Sequence, residues 1–344
     1  MDGRLLPQET ETQAPLRISV VIPVHNGERT LEQCLAAIYR SEYPPYEVVV
    51  VDDASTDRSV EIARRYPCRL VRLSENVGAA RAKNRGAAEA GGDILFFTDA
   101  DVLIPPQALS ILVEDFADPN IAGVVGLLSA ELPYEDFASQ FKNLWMHFTY
   151  ARLPRYVGLF YTSAASIRKP VFEREGGFDE GYRGASVTED MDFGQRLLTA
   201  GHRILLDRRL AVQHLKRYSL GELLRTDFGR AKALAKIRLR NELTRTGRKH
   251  YASVPWFFTV SVPLSGLLLV GILLSFIWPA WGISLVAGSC ALILLLNTSF
   301  LACLGRLRGW GFFVQSCLFL PINLFVSGLG IAAALGDIAW GRLY

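Results

Sequence analysis

From Val254 to Gly305 the sequence contains no Asp, Glu, Lys or Arg. A helix rises about 1.5 Å per residue and one membrane span needs roughly 20 residues, so this stretch is long enough to cross twice. Pro279, within Trp278-Pro279-Ala280-Trp281, is the expected point of reversal, because proline interrupts a helix and tryptophan favours the lipid-water boundary. A third apolar stretch runs from about Gly309 to Leu335. A buried helix of a soluble protein explains any one of these segments, but three in succession argue for a transmembrane domain over residues 251–344, with about three helices.

Lys and Arg placement sets the expected orientation. Arg245, Arg248 and Lys249 precede the first apolar segment, and Arg306 and Arg308 lie between the second and third. Both groups belong on the cytoplasmic side. The expected protein is therefore a multi-pass cell-membrane protein with a cytoplasmic amino-terminal part and a carboxyl terminus outside. Met1 to Arg17 is polar and lacks an apolar core segment, so no signal peptide is expected there.

The formal charge of +3 hides an asymmetry. Residues 1–200 carry 20 Lys or Arg against 29 Asp or Glu, whereas residues 201–250 carry 14 against 4. Basic residues beside a membrane are attracted to anionic lipid at about 1 kcal/mol each, so the expected partner is membrane lipid and not nucleic acid. Cys34, Cys68, Cys290, Cys303 and Cys317 show no paired metal-ligand spacing and read as reduced packing residues.

Residues 1–16 read as a disordered leader. Beyond them, apolar runs at Ile18–Pro23, Glu47–Val51, Arg69–Leu73 and Ile94–Thr98 alternate with helical spacing at Arg29–Tyr39, Asp57–Tyr66 and Ala79–Ala90. This alternation predicts an α/β domain, a mostly parallel Rossmann-like sheet with helices on both faces, over residues 17–218. Ligands of such sheets bind beyond the carboxyl ends of the strands. Three polar segments occupy such ends: Pro23 to Glu28, Asp52 to Asp57, and Asp99-Ala100-Asp101. Ordinary turn chemistry is the alternative for each. Gly-x-Gly-x-x-Gly is absent after the first strand, which argues against a nicotinamide enzyme.

Asp99 and Asp101 flank one small residue, so both carboxylates can approach one hard cation, Mn²⁺ or Mg²⁺, of the kind that binds diphosphate. Thr188-Glu189-Asp190 offers a general base, although acidic residues also favour helix starts. Adjacent helical carboxylates are not expected to share a face, so one would be structural. The aromatic segment 125–170 suits either a core or an acceptor groove, with core slightly favoured. Ser219 to Arg240 spaces apolar residues among basic ones, as in an amphipathic helix on the membrane surface, and residues 219–250 form that helix and a basic linker. Packing against the catalytic domain is the alternative.

Val20 to Glu28, Val49 to Asp57, Asn76-Val77-Gly78 to Gly86, Asp99-Ala100-Asp101 and Thr188-Glu189-Asp190 together resemble the ordered motifs of family-2 inverting glycosyltransferases of the GT-A fold. The resemblance covers roughly residues 17–235. It implies metal-dependent transfer of a sugar from a UDP- or GDP-sugar, with Asp190 as catalytic base, Glu189 in support, and Asp101 with Asp99 on the metal. It also implies that Pro23, Val24, Asn26, Glu28, Asp53 and Lys83 surround the nucleotide, Asp53 lying near the base. The family often carries Arg where Lys83 stands, which exchanges a bidentate contact for a point charge. After the acidic motif, His214 is a reasonable third metal ligand, while Lys216 and Arg217 either hold the diphosphate or touch lipid headgroups. The expected acceptor is a hydroxyl of a lipid or lipid-linked molecule. A polyprenyl-phosphate sugar synthase, whose acceptor needs no base, is the nearest rival. A processive polysaccharide synthase is disfavoured by the lack of a Gln-x-x-Arg-Trp motif. A non-catalytic nucleotide-binding membrane scaffold is the rival of a different class.

Overall fold

The computed structural model describes residues 15–181, 188–243 and 254–340. Most of the leader and the basic residues Arg245, Arg248 and Lys249 lie outside these described residues. The sheet strands are β1 (Ile18–Val24), β2 (Glu47–Asp52), β3 (Arg69–Arg72), β4 (Ile94–Phe97), β5 (Val102–Leu103), β6 (Ile121–Leu128), β7 (Ala165–Arg168) and β8 (Arg203–His214). Their order is β3-β2-β1-β4-β7-β6-β8-β5. The first half is parallel, but β7 runs antiparallel to both β4 and β6, and β5 antiparallel to β8, so the sheet is mixed.

Helices α1 (Leu31–Tyr39), α2 (Ser59–Ala63), α3 (Ala79–Glu89), α4 (Ala108–Asp115), α5 (Phe137–Ala151), α6 (Lys169–Arg174) and α7 (Thr188–Thr199) belong to this α/β part. The central strands are near-continuous valine and isoleucine runs because both faces are covered; every residue of β1 but Pro23 is buried. Gly86 lets α3 lie flush on them. A Cβ there would stand 2.4 Å from Cγ1 of Val21 and 2.9 Å from Cγ2 of Val51. In parallel register Val24 aligns with Asp52, and β4 ends beside Val21, so three polar strand ends emerge at one edge.

The chain continues into α8 (Leu220–Leu243), α9 (Trp256–Ser275), α10 (Pro279–Leu296), α11 (Thr298–Arg308) and α12 (Trp310–Ala339). Helices α9, α10 and α12 are long and apolar enough to cross a membrane, with mean hydropathy of 2.3, 2.0 and 2.0. The α9–α10 reversal falls at the expected place, with Pro279 as the first residue of α10. Helix α5 joins the two parts. Its Phe141 meets Phe300 and Phe319 edge to face, at 5.7 and 5.0 Å between ring centres, and Phe148 lies against Phe257 and Phe300. Nε of Arg308 donates to Gln140 at 2.7 Å. The aromatic segment is thus divided: Phe148, Tyr150 and Phe160 are buried, Tyr156 is exposed, and Trp145 and Tyr161 line a cavity.

Helix α8 packs along the second half of α12. Nδ2 of Asn323 donates to Asp227 at 2.8 Å, and Asp337 receives both Lys232 (2.8 Å) and Lys236 (2.6 Å). Gly330 permits the approach, since a Cβ there would meet the Phe228 carbonyl oxygen at 2.4 Å.

Candidate active site

The loops after β1 and β2 are stitched together by their own polar groups. Asn26 sits at φ 54°, where asparagine is tolerated, and its side-chain oxygen accepts from the amide of Thr56 at 2.8 Å. The amide of Glu28 donates to Asp57 at 2.9 Å, while the Glu28 carboxylate faces Arg58 at 3.3 Å. Buried Asp53 accepts from the amides of Val77 (2.7 Å) and Gly78 (2.9 Å), tying in the loop before α3. Pro23 keeps partial exposure, but Val24 is buried, so its side chain belongs to the core and not to a binding surface.

Asp99, Asp101 and His214 come together although 113 residues separate the last two in sequence. The two-residue β5 does this by pairing Val102 with His214, and the Leu215 amide donates to the Asp101 carbonyl at 2.6 Å. One ligand atom from each of the three residues lies within 4.8 Å of the others, with Nε2 of His214 3.6 Å from Oδ1 of Asp101. Oγ of Ser163 donates to Asp99 at 2.6 Å. Burial raises the Asp101 carboxyl above the usual carboxylate range, His214 pulls it down, and Asp99 raises it further. Two hard oxygen donors that crowd each other and an imidazole suit a divalent cation, whose charge would relieve that repulsion.

Glu189 and Asp190, at the start of α7, both reach one cation, contrary to the expectation that adjacent helical carboxylates face apart. Nζ of Lys83 lies 3.2 Å from Oε1 of Glu189 and 3.1 Å from Oδ1 of Asp190, and it donates to Oγ1 of Thr162 at 2.5 Å. The longer glutamate reaches around the helix to the ammonium. Lys83, which the resemblance sets among the residues around the nucleotide, is fully buried here among two acids and Thr162. Asp190 also accepts from the amide (3.2 Å) and hydroxyl (2.8 Å) of Thr162. Burial pushes the Asp190 carboxyl up to about 7; Lys83 opposes the shift, and Glu189 and Asp99 add to it. One ammonium between two buried acids favours retention of one proton.

A cavity of about 1110 Å³ starts at Asp99, Asp190 and His214 and continues between α8, α9 and α12, past Val262, Leu324 and Gly328. Lys216 lies on its wall, with its ammonium 5.3 Å from the centre of the Tyr218 ring. Arg217 instead pairs with Asp136 at 3.2 Å and does not line the cavity. Thr162, Ser163, Tyr150, Lys142 and Arg230 were absent from the sequence-based site. They lie outside recurring motifs, and only the tertiary fold brings them to one wall.

Residues 19–176 match the model of glycosyl transferase family 2. The chain is 29% identical over 245 residues to validoxylamine A glucosyltransferase of Streptomyces hygroscopicus subsp. limoneus, a match covering 60% of this chain and 53% of that one. It therefore spans about half the length of that relative. It is 27% identical over 259 residues to glycosyltransferase AglE of Haloferax volcanii, covering 72% of this chain and 81% of that protein. The fold is similar to that of mannosyltransferase PcManGT from Pyrobaculum calidifontis, solved with GDP-Man and Mn²⁺. The TM-score is 0.58 at 20% identity, over 96% of this chain and 89% of that one. By family match, fold and motif order, the chain carries a family-2 glycosyltransferase domain of the GT-A fold, followed by apolar helices suited to a membrane.

Proposed function

We propose that this protein transfers a sugar, with inversion, from a UDP- or GDP-sugar to a hydroxyl of a lipid-linked acceptor at the cytoplasmic membrane face. The observation that carries this reading is the cavity that joins Asp99, Asp190 and His214 to the apolar walls of α9 and α12. A soluble acceptor gives no reason for an active-site cavity to continue between apolar helices.

Asp99, Asp101 and His214 would hold Mn²⁺ or Mg²⁺, which supplies charge to the leaving diphosphate. The stitched loops around Asn26, Glu28 and Asp53 form the wall on which the nucleoside rests, and Lys216 stands at the mouth for its phosphates. Asp190 takes the proton from the acceptor hydroxyl. Thr162 orients its carboxylate, and Lys83 stabilises the ionised form. Glu189 shares Lys83 and keeps Asp190 basic enough to accept a proton near neutrality.

The test is a screen of nucleotide sugars with the purified full chain, with and without Mn²⁺, followed by transfer to polyprenol-linked sugars and to soluble sugars. Metal-dependent transfer confined to lipid-linked acceptors supports the reading. Efficient transfer to soluble sugars refutes the lipid part, and the absence of donor turnover with any nucleotide sugar returns the chain to the scaffold reading.

A further inference from the structure

Between His214, the last residue of β8, and Leu220, the first of α8, the chain leaves the metal cluster without belonging to any strand or helix. Other groups must hold it there. Buried Leu215 is held at both of its peptide groups: its amide donates to the Asp101 carbonyl at 2.6 Å, and its carbonyl accepts from the Tyr134 hydroxyl at 3.1 Å. The first of these peptides joins Leu215 to His214 and the second joins it to Lys216. Farther along, Arg217 pairs with Asp136 at 3.2 Å, and the Tyr218 amide donates to Oγ of Ser139 at 2.8 Å. The segment beside the metal cluster thus rests on residues 134–139, the turn before α5 and its first residues.

That turn is in its own right fastened to the apolar helices. Nε2 of buried Gln140 donates to the Tyr134 carbonyl, while Oε1 of the same amide accepts from Nε of Arg308 at 2.7 Å. A second nitrogen of the Arg308 guanidinium donates to the Ala130 carbonyl at 2.5 Å. Arg308 ends α11, and Gly309, at φ 84°, turns the chain into α12. Among the described residues its donors meet the neutral oxygens of Gln140, Ala130 and Leu307. A positive charge that served only to attract anionic lipid would have no need of these partners. A planar fork that bridges a side chain and a backbone carbonyl fixes an angle between the parts it joins.

Resting on the metal reading above, we propose that Arg308, Gln140 and Tyr134 are positioning residues that carry the placement of the apolar helices to the metal site. Arg308 sets Gln140, Gln140 sets Tyr134, and Tyr134 sets the peptide that follows His214. Cutting a link leaves the Leu215 carbonyl without its donor in a buried place, and the segment shifts to recover one. His214 moves with it, while Asp99 stays just past the end of β4. The nucleoside loops keep their form, because Asn26 and Asp53 stitch them independently.

The experiment titrates Mn²⁺ alone into the detergent-solubilised full chain and reads free and bound metal by electron paramagnetic resonance. The proteins are wild type, Tyr134→Phe, Arg308→Gln, Arg308→Lys, the Tyr134→Phe/Arg308→Gln double variant and His214→Ala. Tyr134→Phe and Arg308→Gln should each weaken Mn²⁺ binding about threefold to tenfold, the usual size of a coupling between residues of one network. The double variant should lose no more than the larger single loss, because both changes cut one chain. Arg308→Lys keeps the charge but not the fork and should fall with Arg308→Gln. In Tyr134→Phe the spin-echo modulation from an imidazole nitrogen on the bound Mn²⁺ should weaken, with the near-ultraviolet circular dichroism of the metal-free chain unchanged. Wild-type affinity in both single variants, with His214→Ala weakened, overturns the inference and spares the metal site. Additive losses, or a wild-type Arg308→Lys, overturn the link to the apolar helices. A changed near-ultraviolet spectrum accompanying the lost affinity assigns these residues to folding and overturns the positioning role. If His214→Ala binds Mn²⁺ as tightly as wild type, the metal reading itself fails.

Discussion

Replacing Asp101 by asparagine keeps the size of the side chain and removes one charge from the Asp99–Asp101–His214 cluster. The expected outcome is loss of metal-dependent nucleoside diphosphate binding with the fold intact, read by calorimetry with and without Mn²⁺. An unchanged metal requirement would remove Asp101 from the ligand set. Asp190→Asn should behave oppositely, leaving donor affinity near wild type and lowering kcat by about 10²- to 10⁴-fold, the usual contribution of positioned proton transfer. A loss below about tenfold in kcat would falsify the base assignment. The raised pKa of Asp190 adds a pH signature. Its deprotonated form is the base, so turnover should rise with pH through about 7. Stability should move the other way. Between the ordinary carboxylate range and about 7 the folded state holds a proton that the unfolded chain has released, so stability falls as pH rises through that window. Comparing melting temperatures of wild type and Asp190→Asn from pH 5 to 8 isolates this contribution; parallel curves would deny it. Asp99, Asp101 and Asp190 stand out in the sequence as candidates because strand ends and acidic pairs have short-range signatures. The burial of Lys83 does not, since its partners lie 79 to 107 residues away.

Among the elements, the strand–helix alternation of the first hundred residues is legible because buried parallel strands are continuous apolar runs, and predicted and observed bounds differ by a few residues at most. The antiparallel β7 is not, as nothing local in Ala-Ser-Ile-Arg specifies its direction; β4 and β6 do so by enclosing it. Nor does the periodicity of α5 reveal that its aromatic residues serve two cores. Phe141 is buried by α11 and α12, not by the sheet. Phe141→Ala should therefore cost about 3 to 5 kcal/mol, the usual penalty for emptying a buried aromatic site. The loss should appear as a lower melting temperature in detergent, with nucleoside diphosphate affinity retained at low temperature, because the nucleotide loops are braced by β1, β2 and α3. A loss of nucleotide binding without a change in melting temperature would show that α5 shapes the donor site directly.

At the scale of the whole molecule, the charge pattern and the packing disagree about where the chain ends. With Arg306 and Arg308 on the inner side, one further crossing by α12, the third in all, puts the carboxyl terminus outside. The structure runs α8 alongside the second half of α12 in the same direction, from Asp227 with Asn323 to Lys232 and Lys236 with Asp337. Helix α8 carries Arg225, Arg230, Lys232, Lys236 and Arg238 on this stretch. Each such residue at the bilayer centre costs about 2.5 to 3.5 kcal/mol on insertion scales, and Asp227 and Asp337 offset a part of that sum. Length and hydropathy allow α12 to cross, but a neighbour this charged belongs at the headgroup level, where Lys and Arg meet anionic lipid. The expected arrangement is then an α9–α10 hairpin through the membrane, with α8 and the end of α12 lying on the side of the catalytic domain. The check is a pair of single-cysteine proteins, Tyr46→Cys on the exposed catalytic surface and Ala339→Cys at the end of α12, both with the native cysteines replaced. A membrane-impermeant maleimide should label both positions from the same face of sealed vesicles. Labelling of Ala339→Cys from the opposite face would restore the three crossings read from the charges and place the Lys232–Asp337 contact outside the membrane-bound state.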